Sequence, residues 1–289
     1  MRIGKILGAV ILCAGLLTGC GMQNSKEQQA PGSVSSSAPV RQVETAVPEK
    51  GIPVLMYHMI GNIQNNDAVL SESHLREQMQ YLKDHDYHPI SLDQLYDYVV
   101  RNKPVPVRPV VLTFDDGYKD TYTIVLPLMK EYGFKATVFI PTYDADQGTR
   151  LNWQEIKAMK EGGLDIASHS YHHERLSTKS AADMENEIAM SQKELRDQLG
   201  ITNEFFCYPY GQEHPEVESA LRKAGIKMAF TMNPGWAKYG DDPYAVKRIW
   251  IGNSVELANF AERISTENLC TEVVCCECSR DSPGFMGGK

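Results

Sequence analysis

The sequence predicts an α/β fold of parallel strands joined by helical crossovers. Three observations carry the prediction. Short apolar runs of strand length alternate with segments whose apolar residues recur at helical spacing, and such alternation builds βα units. Several helical segments are bracketed by a capping residue or a terminal glycine. No Gly-x-Gly-x-x-Gly follows any strand, which disfavours the dinucleotide-binding open sheet that competes with a barrel.

The elements follow in order. Residues 54–57 form the first strand. Residues 73–83 repeat apolar side chains at Leu75, Met79 and Leu82, and 92–100 do so at Leu95, Tyr96 and Val99, so both are helices. Residues 110–114 are a strand, and 121–132 a helix that must accommodate Pro127. After a strand at 136–140, Asn152 caps a helix that Gly162 and Gly163 stop. A strand at 164–168 precedes a long helix, 180–199, ending at Gly200. The strand 205–208 leads to a helix at 216–224 with Gly225 past its end, and 228–232 is a strand. The last strand, 246–251, is followed by a helix at 255–263.

Two polar clusters sit at strand ends. Thr113-Phe114-Asp115-Asp116-Gly117 closes an apolar run with two adjacent carboxylates. Adjacent aspartates repel, so they persist best where a cation or a proton relieves one of them. One metal-bound carboxylate beside a free one is a water-activating arrangement. In the second cluster, three of the chain's 8 histidines fall within residues 169–173, with His169 and His173 four apart and His172 between them. Neutral imidazole ligates zinc and similar metals, and two histidines with one carboxylate leave a coordination position for water. Taken singly, the first cluster also suits an ordinary turn and the second a polar surface loop. Their shared position after strand-like runs favours a site, because strand ends on one barrel rim converge.

The motifs Thr113-Phe114-Asp115-Asp116-Gly117, His169-Ser170-x-x-His173 and Tyr208-Pro209-Tyr210-Gly211, in that order, resemble the polysaccharide deacetylases of carbohydrate esterase family 4, the NodB homology domain. The upstream Pro53-Val54-Leu55-Met56-Tyr57-His58 resembles the branch that includes the biofilm poly-N-acetylglucosamine deacetylases. The resemblance implies a distorted (β/α) barrel with fewer than eight strands. It implies a divalent ion on Asp116, His169 and His173: zinc first, with cobalt, nickel, manganese or iron able to use the same donors. It makes Asp115 the general base and the Tyr210 backbone N–H an oxyanion donor held by Pro209. This chain departs from the family twice. It has no histidine after His214, so His58 is the candidate acid for the leaving amine, with packing under the sheet as the alternative. Cys207 stands where many relatives carry an arginine that steadies the base, and Arg248 is the candidate replacement, an ordinary ion pair or a surface role being the alternative. Tyr208, Pro209 and Trp236 are candidate substrate contacts, and core packing is the alternative for Trp236.

The ends of the chain read differently. Arg2 and Lys5 precede an apolar run at 6–17 that is too short to span a bilayer and reads as a secretory signal. Leu17-Thr18-Gly19-Cys20 resembles a bacterial lipoprotein processing site, so 1–19 would be removed and Cys20 lipidated. A two-chain lipid suffices for stable anchoring. Residues 20–50, rich in Gln, Ser, Ala and Pro, read as a tether with a reach of roughly 30 Å. The catalytic domain is expected over 51–265. Cys270, Cys275, Cys276 and Cys278 crowd residues 266–289, read as a disordered or non-native tail without function.

The formal charge is −8, and loss of Arg2 and Lys5 makes it more negative. That argues against nucleic acid and favours a neutral or amino-sugar polymer. The expected function is metal-dependent removal of N-acetyl groups from N-acetylhexosamine polysaccharide, peptidoglycan or poly-N-acetylglucosamine in type. It would take place at the outer face of the cytoplasmic membrane. An O-acetyl carbohydrate esterase and a non-catalytic carbohydrate-binding lipoprotein are the alternatives. The sequence leaves the oligomeric state open.

Overall fold

The computed structural model describes residues 43–63 and 65–267. Seven strands, each followed by a helical crossover or loop, run parallel in a closed barrel: β1 (Val54–Tyr57), β2 (Pro109–Phe114), β3 (Thr137–Ile140), β4 (Asp165–Ser168), β5 (Phe205–Cys207), β6 (Met228–Pro234) and β7 (Val246–Trp250). Each strand pairs with the next, and β7 closes on β1 with Ile249 opposite Leu55. The barrel has fewer than eight strands, as the motifs implied. The short segment His88–Pro89 extends β2 on its outer side.

Strand periodicity sorts the core into two shells. Val54, Val111, Phe139, Ala167, Cys207, Phe230 and Val246 form one buried cluster inside the barrel. Leu55, Leu112, Val138, Ile166 and Ile249 point outward into another, shared with the helices. These are α1 (Glu72–Asp84), α2 (Leu92–Arg101), α3 (Leu126–Tyr132), α4 (Trp153–Glu161), α5 (Ala181–Leu199), α6 (Pro215–Lys223) and α7 (Leu257–Ser265). Leu92, Leu95 and Val99 of α2 join the inner cluster, so α2 closes the end of the barrel where the strands begin. The opposite rim is left to loops.

The helix expected at 121–132 opens as a π-turn, Thr121–Val125, before α3. Pro127 lies in the first turn of α3, where its missing N–H costs least. The tether expected to reach residue 50 ends earlier. Thr45–Ala46 pairs antiparallel with Val105–Pro106, and the Tyr98 hydroxyl donates to Pro48 O at 2.9 Å. Backbone pairing holds this polar stretch where apolar content could not. The expected signal, Cys20 and the cysteine-rich tail from 268 onward lie outside the described residues. No described helix is long and apolar enough to cross a membrane.

Candidate active site

Val111 and Thr113 face the barrel interior, so Asp115, next in the same period-two series, does too. It is 2% exposed. There it meets Arg248 of β7. Arg248 Nη1 donates to Asp115 Oδ1 at 2.9 Å, and Nη2 donates to Oδ2 at 2.7 Å. Its other N–H groups are also used: Nε on Thr231 O at 2.8 Å, Nη1 on Thr113 Oγ1 at 3.1 Å, Nη2 on Cys207 Sγ at 3.1 Å. All five guanidinium donors find acceptors, which is what a fully buried cation requires. Burial pushes the Asp115 carboxyl up, but the Arg248 charge and hydrogen bonds outweigh it and hold the pKa below the ordinary value. Asp115 is therefore an anion at neutral pH. The small thiol of Cys207 leaves the space that Arg248 fills from two strands away, so Asp115 is steadied by an arginine from another part of the chain.

Asp116 turns away from its neighbour because its backbone is left-handed, φ 72°. Its Oδ1 lies 3.4 Å from His169 Nε2 and 3.2 Å from His173 Nε2. His169 Nδ1 sits 2.8 Å from Cys207 O. A carbonyl only accepts, so Nδ1 carries a proton and Nε2 is the ring atom turned toward Asp116. Two imidazole nitrogens and a carboxylate oxygen converge here, a donor set that fits a divalent ion with positions left for water. The overlapping cluster Asp115, His169 and Cys207 also has donor atoms close together, but Asp115 is already neutralised by Arg248. Ser170 (φ 67°), His173 (φ 55°) and Tyr210 (φ 60°) are left-handed like Asp116. Each costs roughly 1–2 kcal/mol without glycine, strain that persists where the surroundings over-determine it. For the histidine loop, Ser170 Oγ accepts the His173 N–H at 3.0 Å. The buried Glu187 of α5 accepts the N–H groups of Tyr171 and His172.

His58 follows β1 directly, and its Nε2 lies 4.0 Å from Asp115 Oδ2. Burial holds its pKa below the ordinary imidazole value, against the pull of Asp115 and Asp116. The ring packs on Trp250, centroids 4.8 Å apart. Trp250 Nε1 donates to Asp67 Oδ2 at 2.7 Å, and the Ser254 N–H donates to Asp67 Oδ1 at 2.7 Å. A Cβ at Gly252 would lie 2.1 Å from Asp67 O, so only glycine lets this clip close.

The third motif divides. Tyr210 is exposed, with its ring 4.9 Å from that of His173 and 4.2 Å below the Arg175 guanidinium. Tyr208 is a correction: the ring is 1% exposed and its hydroxyl donates to Tyr244 O at 3.0 Å, so it packs the core instead of meeting substrate. Pro209 is likewise buried and shapes the turn. Trp236 is also corrected. It is 5% exposed, and Nε1 donates to Arg263 O of α7 at 3.0 Å. The tryptophan at the site is Trp250. Its one sequence signal was its place two residues past Arg248, on the same face of β7.

Comparison with known proteins agrees with this geometry. The family model for polysaccharide deacetylases matches residues 102–229. YxkH of Bacillus subtilis, whose name assigns it to the same family, is 28% identical over 78% of this chain and 79% of its own. The poly-beta-1,6-N-acetyl-D-glucosamine N-deacetylase of Escherichia coli is 26% identical over 76% of this chain, which spans only 39% of that protein. The Streptococcus pyogenes deacetylase PplD in complex with acetate superposes with a TM-score of 0.71 at 25% identity, over 75% of this chain and 99% of that one. A short parallel barrel with its three motifs gathered on one rim, together with these matches, gives the chain a polysaccharide deacetylase domain.

Proposed function

We propose that this protein is a metal-dependent hydrolase that removes N-acetyl groups from an N-acetylhexosamine polysaccharide outside the cell. One observation carries the reading: a carboxylate held ionised by Arg248 stands beside a separate Asp116–His169–His173 trio suited to a cation. A binding module needs no such base. The names of the Escherichia coli and Streptococcus pyogenes relatives support deacetylation. Anchoring through Cys20 at the outer face of the cytoplasmic membrane belongs to the same proposal.

Asp116, His169 and His173 would hold a divalent ion, and the chemistry it would supply when bound is polarisation of the acetyl carbonyl and a lowered pKa for water. The protein's own part is proton handling and orientation. Asp115 accepts the water proton; its two bonds to Arg248 fix the carboxylate plane and keep it anionic until that moment. The leaving nitrogen must then gain a proton. His58 enters neutral; the 4.0 Å between Asp115 Oδ2 and His58 Nε2 exceeds a direct hydrogen bond, so the proton reaches the imidazole through one bridging water and passes on to the amine. Trp250 limits the tilt of that ring. The exposed turn at Tyr210 offers its backbone N–H to the developing oxyanion. The test is acetate release from β-linked N-acetylglucosamine oligomers, from peptidoglycan and from acetylxylan, with and without chelator. Release from the first two that chelation abolishes and metal restores is expected; activity on acetylxylan alone would make it an O-acetyl esterase.

A further inference from the structure

The rim around the cation-binding trio carries aromatic rings that the hydrolysis does not use. Tyr143 lies on the turn Thr142–Asp144 that follows β3 and is 47% exposed. The Tyr143 N–H donates to Tyr171 O at 2.9 Å and the Thr142 N–H to Ser170 O at 3.3 Å, so the turn is laced to the loop that ends in His173. The Tyr143 ring rests on His172, centroids 4.3 Å apart, and meets Tyr171 edge-on at 5.3 Å. Beneath them, His172 Nδ1 is tied to buried Glu187 at 2.5 Å. Tyr143 is thus an exposed ring on a braced foot. An exposed aromatic already fixed in place loses little side-chain entropy when something stacks on it. Tyr210 is exposed on the same rim, but its ring is already taken by Arg175 and His173.

We propose that Tyr143, backed by His172 and Tyr171, is a stacking subsite for a pyranose ring of the polymer, one that adjoins the sugar whose acetamide is cleaved. The inference rests on the deacetylase reading and adds to it a preference for chains over single sugars. A pyranose has an apolar C–H face bordered by hydroxyls. An aromatic ring with polar partners at its edge complements that pattern. With Nδ1 committed to Glu187, His172 Nε2 is left to hydrogen-bond a sugar hydroxyl. Continuity with the catalytic rim favours a sugar over any other occupant, because the next unit of a bound polymer must lie against a neighbouring loop.

The experiment compares a β-1,6-linked N-acetylglucosamine pentamer with the dimer, on the full metal-loaded chain. For Tyr143→Ala the pentamer KM should rise about tenfold, equivalent to about 1.4 kcal/mol, with kcat little changed. The pentamer-to-dimer ratio of kcat/KM should fall by the same factor. Tyr143→Phe should keep the ratio, and Tyr143→Leu, which preserves apolar volume without a ring, should lose it. A ratio unchanged in Tyr143→Ala, or a loss shared equally by dimer and pentamer, overturns the subsite. If the parent releases no acetate from either oligomer, the deacetylase reading fails separately. Calorimetric binding of the pentamer to Asp115→Asn protein, with and without Tyr143→Ala, then decides the subsite: equal affinities, or no binding, refute it.

Discussion

Arg248→Gln removes one charge from the interior and leaves Asp115 behind. The carboxylate is 2% exposed and would lose both guanidinium bonds, while Thr231 O and Thr113 Oγ1 would each lose a donor. Breaking a buried pair from one side costs about 3–5 kcal/mol. In a domain of this size each kcal/mol moves the midpoint by about 2–4 °C, so melting should fall by about 10 °C at pH 7. The pH dependence has a definite sign. In the parent the Asp115 pKa lies below its unfolded value, so its stabilisation is present above about pH 4 and is lost as pH falls through the folded value. In the variant burial acts without Arg248 and raises the carboxyl, so the deficit is largest at alkaline pH and shrinks on acidification. Adding Asp115→Asn removes the stranded charge, and the double variant should be more stable than the sum of the single changes implies, by more than about 1 kcal/mol. Calorimetric melts from about pH 3 to pH 8 measure all of this. A single variant melting within about 2 °C of the parent at pH 7, or strict additivity in the double, would falsify the role given to Arg248.

Asp115→Asn should bind metal like the parent yet lose about 100-fold or more in acetate release; near-normal turnover removes Asp115 as base. His169→Ala takes away one of three donors, so metal content by atomic emission should fall well below one ion per chain, and full occupancy contradicts the assignment. His58→Ala should slow amide hydrolysis by about 100-fold or more while an aryl acetate, whose leaving group needs no proton, is affected far less; equal losses on both would count against proton delivery. Burial pushes the Asp120 carboxyl up to about 7, and its Oδ1 has no partner. A folded pKa above the unfolded one costs stability as pH rises between the two, so Asp120→Asn should melt higher than the parent at pH 8 and equally at pH 4. No gain at pH 8 would mean that the carboxylate is solvated after all.

The strand and helix order was legible because each element carries a local signal: unbroken apolar runs where both faces of a strand are buried, helical spacing where one stripe is. The Asp116–His169–His173 trio was legible because motif chemistry is local too, Asp116 beside Asp115 and His169 four residues from His173. Other assignments depended on contacts between distant residues. Arg248 looked as much like an ordinary ion pair until β7 closed on β1 and brought it to Asp115, 133 residues away in sequence. Trp236 and Trp250 are both aromatic residues near strand ends, and only the barrel puts one beneath α7 and the other on His58. Residues 45–46 read as tether because the segment 20–50 is poor in large apolar residues; pairing with residues 105–106 recruits them to the fold. The sequence by itself determined which residues have the chemistry and which elements hold them, since periodicity and donor type are properties of neighbours along the chain. Which arginine steadies Asp115, which tryptophan packs on His58 and where the folded body begins were decided by tertiary structure, because barrel closure sets distances that no local spacing encodes.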